Sequence, residues 1–204
     1  MTLDQLNVLA VIGIVACWGA LALAWLLGAI YYQSRAPAER TRSWFGASVW
    51  PGLVIVIAID FGVPRADWSA VTVQAAWVRI LGLVILVAAT ALAIWARLAL
   101  GAMWSAAPAV KQEHELRTSG PYAVTRHPIY TGMLGMLLGS GLLAGVGRWL
   151  VAFPVFLVLV EIKLRIEERF MLAEFPDDYP RYRHRVPRLV PGLHLISGSK
   201  EASR

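Results

Sequence analysis

The chain has 204 residues, of which 58% are apolar and only 16% are charged, and its mean hydropathy is +0.60. A soluble domain is about 45–50% apolar and about 25% charged, so this composition favours an integral membrane protein over a soluble one. The single cysteine, Cys17, excludes an internal disulfide, and the net charge of +6 has to be interpreted by position along the chain before nucleic-acid binding is considered.

Five apolar runs follow one another along the chain. They cover residues 6–31, 49–63, 77–100, 129–146 and 149–166. A membrane-spanning helix needs about 20 apolar residues, so the first run predicts a transmembrane helix; it lacks the basic leader of a cleaved signal peptide. The second run is a marginal span. Only Gly147-Arg148 separates the last two runs, which predicts a helical hairpin.

These runs predict an all-α, polytopic integral membrane protein with about five transmembrane helices. We expect a single domain over residues 1–204, with two peripheral spans in 1–63 and a catalytic core in 77–192. If the N-terminus is outside, the segments 32–48, 97–127 and 163–204 are cytoplasmic, and they hold 16 of the 19 basic residues. The positive-inside rule therefore favours a cytoplasmic C-terminus and explains the basic charge without nucleic acid, because basic tails attract anionic lipid.

The fourth run is rich in glycine. It contains two G-x-x-x-G pairs, Gly135/Gly139 and Gly141/Gly145, which predict close packing within the hairpin. Residues 139–144 also match the dinucleotide-binding pattern G-x-G-x-x-A, but that pattern requires a strand before it, and an apolar span precedes it here. No two histidines are spaced i, i+4 and there is no H-E-x-x-H, so we expect no metal site.

Two polar clusters adjoin the last two runs. The first, Arg126-His127-Pro128-x-Tyr130-x-Gly132, lies at a helix start. Its structural interpretation is Pro at the first helical position and Arg as an interfacial anchor; its functional interpretation is a receptor for an anion at a helix N-terminus. The second, Glu167-Glu168, ends the fifth run.

The i, i+4 pairs Glu161/Arg165 and Lys163/Glu167 are typical of a salt-bridged helix end. The functional interpretation of the same segment is a carboxylate that faces an organic cation near the membrane interface. The tail FPDDYPRYRHRVPRLVP that follows is interpreted either as an amphipathic surface anchor or as a segment that folds back over the two clusters.

In combination the motifs resemble the isoprenylcysteine carboxyl methyltransferase family and its relatives, the phospholipid methyltransferases. The resemblance covers about residues 95–192. It is carried by an ordered set: His114-x-Leu116-x-x-x-Gly120-Pro121-Tyr122-x-x-x-Arg126-His127-Pro128-x-Tyr130-x-Gly132, a helical hairpin, Glu167-Glu168, and Phe175-x-x-x-Tyr179-x-x-Tyr182-x-x-x-Val186-Pro187-Arg188-x-x-Pro191.

The resemblance implies a membrane enzyme that uses S-adenosylmethionine in a cytosolic pocket closed by the C-terminal tail. By position it implies that these residues bind the cofactor: His114, Glu115, Leu116, Arg117, Tyr122, Arg126, His127, Pro128, Ile129, Tyr130, Glu167 and Glu168. Glu167 and Lys163 are the predicted catalytic residues, and Lys163 and Arg165 the predicted substrate-binding residues. Lys163 departs from the family, whose prenylcysteine enzymes carry Arg there, and a Lys cannot make the bidentate fork with a carboxylate.

Several functions remain open from the sequence. The first is methyl transfer to a lipophilic acceptor that enters from the bilayer, such as an isoprenylcysteine-like carboxylate, a phospholipid amine or a hydrophobic thiol. A second is an NADPH-dependent reductase of the sterol type, although adjacent carboxylates would repel phosphates. A third is a scaffold or small transporter, which the scarcity of charges within the spans disfavours.

Overall fold

The computed structural model describes residues 3–33, 39–42, 68–73, 75–101, 109–111, 116–147 and 149–190. The second apolar run, His114 and Glu115 lie outside these residues. The described residues are helical apart from a short antiparallel ribbon and turns. In chain order the elements are α1 (Leu3–Gln33), β1 (Glu39–Arg42), a 3-10 turn (Ser69–Val71), α2 (Ala76–Leu100), β2 (Ala109–Lys111), α3 (Pro121–Val124), α4 (Pro128–Ala144), α5 (Trp149–Glu174) and α6 (Asp178–Arg185), with β1 paired to β2.

Two helices are long and apolar enough to cross a membrane. They are Gln5–Tyr32 and Ala76–Leu100, each with a mean hydropathy of 2.3 over its most apolar window. Helix α4 is a shorter apolar helix of 17 residues. Helix α5 begins as predicted but continues to Glu174, because the charged segment after residue 160 keeps good helix formers and side-chain pairs at i, i+4. Five transmembrane helices therefore remain a prediction.

Helices α2 and α4 form the most extensive helix–helix interface among the described elements. A Cβ added at Gly139 would lie 2.6 Å from the backbone N of Leu86, and one added at Gly82 would lie 2.5 Å from the backbone N of Leu143. The prediction that Gly135/Gly139 packs the hairpin is therefore wrong: these glycines face α2. Only Gly141 packs toward α5, with Trp149 as its neighbour. Spacing showed that the glycines share a face, but not which helix that face would meet.

Helix α1 packs across α2 and α4 through its small and aromatic residues. Trp18 Nε1 donates a hydrogen bond to Ser140 Oγ at 3.1 Å, and Arg79 Nη2 donates to Asn7 Oδ1 at 2.9 Å. Near the other end of α2, the buried Arg97 guanidinium lies over the rings of Trp25 and Tyr32. The two arginines of the third apolar run are thus enclosed by α1, which allows an apolar helix to carry charge at both of its ends.

The residues after α5 fold back onto the start of α4. Helix α6 buries Tyr179 and Tyr182 against Val186, with Leu116 and Phe175 packed on the outside. Residues 186–190, which we call the C-terminal strap, then run along the turn before α4. The strap carbonyls accept hydrogen bonds from the backbone N–H of Arg126 and His127 and from the hydroxyls of Thr125 and Thr131. These four bonds fix the strap beside the two polar clusters.

Candidate functional site

The turn before α4 is organised by Pro128. Pro occupies the first helical position, and it holds the preceding residue, His127, out of the helical conformation at φ −127° and ψ 60°. The backbone N–H of Arg126 donates to Pro187 O at 2.9 Å, and that of His127 donates to Arg188 O at 3.2 Å. These two amides are therefore hydrogen-bonded to the strap. The side chains of Arg126 and His127, in contrast, point from the turn toward the polar cluster.

Glu167 lies at the centre of the first half of this cluster. The Tyr130 hydroxyl donates a hydrogen bond to Glu167 Oε1 at 2.7 Å, and Lys163 Nζ lies 3.5 Å from the same oxygen. On the other carboxylate oxygen, His127 Nδ1 is 3.7 Å from Glu167 Oε2. The Glu167 side chain keeps 24% of its surface exposed, while those of Lys163 and His127 are buried. Glu167 is thus the accessible anion of the cluster.

Glu168 faces a different set of partners, because adjacent residues on a helix point about 100° apart. Its Oε1 is 2.8 Å from Arg126 Nη1, 3.4 Å from His127 Nε2 and 3.4 Å from Arg188 Nε. Burial alone would raise the pKa of the Glu168 carboxyl. The hydrogen bond with His127 and the charges of Arg126 and Arg188 outweigh burial and hold that pKa below its usual value. Glu168 is therefore ionised at neutral pH.

A third carboxylate, Glu161, joins the strap to α5. Arg188 Nη1 lies 2.9 and 3.0 Å from the two Glu161 oxygens, and Arg165 Nε lies 2.8 Å from Oε1. The Arg165 side chain is 69% exposed. The structure thus places Arg165 on the outside of α5, paired with Glu161, and does not bring it to the Glu167 cluster; its predicted role in substrate binding is still untested.

Three tyrosines beside the cluster form part of its supporting core. Tyr182 donates a hydrogen bond to the carbonyl of Tyr122 at 2.6 Å, which ties α6 to α3. Burial raises the pKa of the Tyr122, Tyr179 and Tyr182 hydroxyls, so all three stay protonated. By contrast, the hydroxyl of Tyr130, near the start of α4, reaches the Glu167 carboxylate.

His114 and Glu115 lie outside the described residues, and the other predicted site residues divide into three groups, of which the exposed one includes Arg165. The structure brings Arg126, His127, Tyr130, Lys163, Glu167 and Glu168 together. Pro128, Ile129, Leu116 and Tyr122 pack in the surrounding core, and Arg117 is exposed on the loop before α3. The i, i+4 pairs Glu161/Arg165 and Lys163/Glu167 are confirmed.

Sequence reasoning left Arg188 and Glu161 out of the site. Arg188 was visible in the tail motif, and Glu161 in its i, i+4 pair with Arg165. Spacing along the chain carried no signal that the two side chains would meet each other 27 residues apart. Within the described ranges, no group of three His, Cys, Asp or Glu side chains has the arrangement of a metal site.

The sequence that forms this site matches a known protein family. The phospholipid methyltransferase family model matches residues 77–178, which is half of the chain. The matched region contains α2, α4, α5 and every side chain of the Glu167 and Glu168 clusters except Arg188.

Individual relatives match shorter stretches. A cobalt-zinc-cadmium resistance protein of Cupriavidus metallidurans is 33% identical over 89 residues, which is 43% of this chain and 41% of the relative. The protein-S-isoprenylcysteine O-methyltransferase of Schizosaccharomyces pombe is 34% identical over 83 residues, 39% of this chain and 34% of the relative. Methanethiol S-methyltransferase 2 of Bradyrhizobium diazoefficiens is 38% identical over 81 residues, 38% of this chain and 29% of the relative.

The chain thus spans less than half the length of these three relatives. The family model, by contrast, runs without interruption from the first residues of α2 to the first residue of α6. The chain belongs to the phospholipid methyltransferase family.

Proposed function

We propose that this protein is an S-adenosylmethionine-dependent methyltransferase that acts on a lipophilic acceptor. The observation that supports it most directly is the Glu167 cluster, in which a partly exposed carboxylate is hydrogen-bonded by Tyr130 and flanked by Lys163 and His127. A carboxylate held in this way at the end of an apolar helix pair is suited to an organic cation such as a sulfonium. Membership of the phospholipid methyltransferase family supports the same reaction class.

The residues present fit the proposed cofactor. Its cationic part is matched by Glu167. Its amino-acid carboxylate is matched by the cationic side chains of Arg126 and Arg188, which also contact Glu168. Arg126 Nε, Arg188 Nη2 and the Tyr179 hydroxyl are buried and lack a well-aligned hydrogen-bond acceptor among the described residues. A buried guanidinium N–H without an aligned acceptor is costly, so an anion near these donors would stabilise them. Ile129 and Leu116 are partly buried apolar side chains that pack on the two core clusters beside the site, and we propose them as contacts for the purine.

When bound, the cofactor supplies a methyl group activated on a sulfonium. The residues of this chain then have three tasks. Glu167 and Tyr130 would hold the cation in position, Lys163 offsets the negative charge of Glu167, and the strap excludes water from one side. Displacement at a methyl carbon requires alignment and desolvation of the nucleophile more than covalent chemistry by the protein, so positioning accounts for most of the expected rate gain.

The acceptor implied by the family resemblance is an isoprenylcysteine-like carboxylate, with Lys163 and Arg165 as its predicted binding residues. One observation favours a second candidate, a hydrophobic thiol or a phospholipid amine. Lys163 Nζ lies 3.5 Å from Glu167, so much of its charge is already balanced, and Arg165 is paired with Glu161 at the surface. Because both cations already pair with a glutamate of this chain, neither is well placed to bind the carboxylate of a substrate. Of the relatives named above, one is an isoprenylcysteine O-methyltransferase and another is a methanethiol S-methyltransferase.

We further propose that the site faces the cytoplasm, since the basic segments around it follow the positive-inside rule. In a Cys17→Ala background, Arg185→Cys should be protected from a membrane-impermeant maleimide in intact cells and react after permeabilisation. Thr2→Cys should react in intact cells. The reverse pattern would invert the proposed orientation.

Binding titrations with the purified, full-length protein test the cofactor. We expect S-adenosylmethionine to bind and NADPH not to bind, because adjacent carboxylates repel a polyphosphate and attract a sulfonium. Binding of NADPH alone would replace this proposal by the reductase alternative. A labelled-methyl assay over prenylcysteine, phosphatidylethanolamine and hydrophobic thiols then identifies the acceptor.

A further inference from the structure

The carboxylates of Glu167 and Glu168 lie on opposite sides of the His127 ring. Binding of the cofactor by itself does not require a histidine between two carboxylates. We propose that His127 accepts a proton from the methyl acceptor and that Glu168 is the positioning residue that orients its ring for this role. The inference rests on the proposed function, and it replaces the expectation that His127 and Glu168 simply bind the cofactor.

The two ring nitrogens of His127 have different surroundings. Nε2 lies 3.4 Å from Glu168 Oε1, within hydrogen-bond distance, whereas Nδ1 lies 3.7 Å from Glu167 Oε2, beyond it. A neutral imidazole carries one proton, and the hydrogen bond made by one nitrogen decides the tautomer. We therefore assign the proton to Nε2, where Glu168 accepts it. Nδ1 then keeps its lone pair and directs it toward the Glu167 side of the cluster.

Glu168 is built to hold the ring in that orientation. Its side chain is only 12% exposed, and Arg126 Nη1 and Arg188 Nε contact the same oxygen that faces His127. Arg126 is fixed by the hydrogen bond from its backbone N–H to the strap, and Arg188 by its contacts with both oxygens of Glu161. A buried, immobilised carboxylate behind a histidine is the arrangement by which a carboxylate orients a general base in hydrolytic enzymes.

The opposite side of the ring presents two acceptors and no proton between them. Nδ1 of His127 and Oε2 of Glu167 converge at 3.7 Å, while the Tyr130 hydroxyl is already directed at Oε1. A group that brings its own hydrogen, S–H or N–H, would satisfy both atoms. An ionised carboxylate brings none, and it would add a third negative charge. The arrangement thus favours a thiol or an amine as the methyl acceptor.

For a thiol acceptor, proton transfer to His127 accompanies methyl transfer to sulfur. The S–H proton passes to Nδ1 as sulfur forms a bond to the methyl carbon, and the electron pair of the breaking sulfonium–methyl bond stays on the cofactor sulfur. The products are a methyl thioether, a neutral thioether and an imidazolium, which lies between two carboxylates until it releases its proton to solvent. For an amine the same proton is removed from nitrogen. Positioned proton transfer of this kind contributes about 10²–10⁴-fold to a rate.

The orientation is tested without turnover by ¹⁵N NMR of histidine-labelled protein, with His127→Gln used to assign the signal. We expect the Nε2–H tautomer in the native protein and a mixture of tautomers in Glu168→Gln. Asp178→Asn is the matched control: it removes an exposed carboxylate that pairs with Arg181 on α6, and it should leave the tautomer unchanged. A native Nδ1–H tautomer, or a signal unaffected by Glu168→Gln, overturns the proposal.

The proton-accepting role is tested by separating turnover from cofactor affinity. Glu168→Gln should lower kcat on a thiol or amine by about 10²-fold or more, with an unchanged Kd for S-adenosylmethionine. A weakened Kd with retained kcat would make Glu168 a cofactor ligand instead. If the native protein binds S-adenosylmethionine but methylates only carboxylates, His127 is not the base while the proposed function stands. If the native protein does not bind S-adenosylmethionine, the proposed function fails as well, whatever tautomer NMR reports.

Discussion

Glu167→Ala is expected to abolish methyl transfer while the protein still inserts and folds. The substitution removes the acceptor of the Tyr130 hydrogen bond and a partner of both Lys163 and His127. It also removes the more accessible carboxylate of the adjacent Glu167–Glu168 pair, which is the one proposed to meet a bound cation. Loss of a preorganised electrostatic contact in an active site costs about 10²–10³ in kcat, and loss of cofactor affinity would add to this.

Two further variants make the Glu167 result interpretable. Glu167→Gln keeps an oxygen that accepts the Tyr130 hydrogen bond but removes the charge, so it should fold normally and still lose most of its turnover. Asp178→Ala removes an exposed carboxylate paired with Arg181 on α6, and it should leave turnover unchanged. Labelled-methyl turnover and thermal unfolding in detergent are the two measurements. Native turnover in Glu167→Ala would move the catalytic site elsewhere.

The second large effect is expected at Gly139, in the middle of the α2–α4 interface. In Gly139→Ala the new methyl group would lie 2.6 Å from the backbone N of Leu86 and 2.8 Å from the carbonyl of Gly82. Both are backbone atoms of a helix, so neither can turn aside as a side-chain end does. The two helices must separate, and overpacking of this kind typically costs about 1–3 kcal/mol. We expect a lower midpoint of thermal unfolding and a large loss of activity, since α4 also carries Tyr130.

Gly19→Ala is the matched control, because Gly19 lies within helix α1 and a Cβ there would have no neighbour within 4 Å. Alanine is favoured over glycine inside a helix by about 1 kcal/mol, so this variant should be as stable as the native protein or slightly more stable. Equal unfolding midpoints for Gly139→Ala and Gly19→Ala would contradict the close approach of α2 and α4.

The polar clusters show which contacts of the site can be predicted from spacing along the chain and which cannot. Lys163 and Glu167 are four residues apart on one helix, so their pairing followed from helical geometry alone. Tyr130 and Glu167 are 37 residues apart, and a helix start was predicted at the first and a helix end at the second. Because a short turn joins α4 to α5, the start of one helix must lie beside the end of the other. The hairpin therefore predicts their proximity, although not the hydrogen bond.

The strap is the part of the site that the sequence left open. Its segment was interpreted either as a surface anchor or as a cover, and the choice depended on hydrogen bonds from the turn before α4 to carbonyls about 60 residues later. The acceptors of these bonds are backbone carbonyls, and two of the four donors are backbone N–H groups, neither of which carries a residue-specific signal. The same is true of the glycine face: Gly135 and Gly139 were correctly expected to pack closely, but their partner is α2, not α5.

By itself the sequence determined the helical class, the family, the side chains of the Glu167 and Glu168 clusters other than Arg188, and, among its five predicted spans, the two that form helices long enough to cross a bilayer. Those properties depend on composition, on local periodicity and on motifs whose residues are few and ordered. Only the tertiary structure decided that Glu167 pairs with Lys163 and Glu168 with Arg126, that His127 lies between the two carboxylates, and that Arg188 returns to hold Glu168 in place. These follow from distances between elements far apart in the chain, and such distances are set by helix packing.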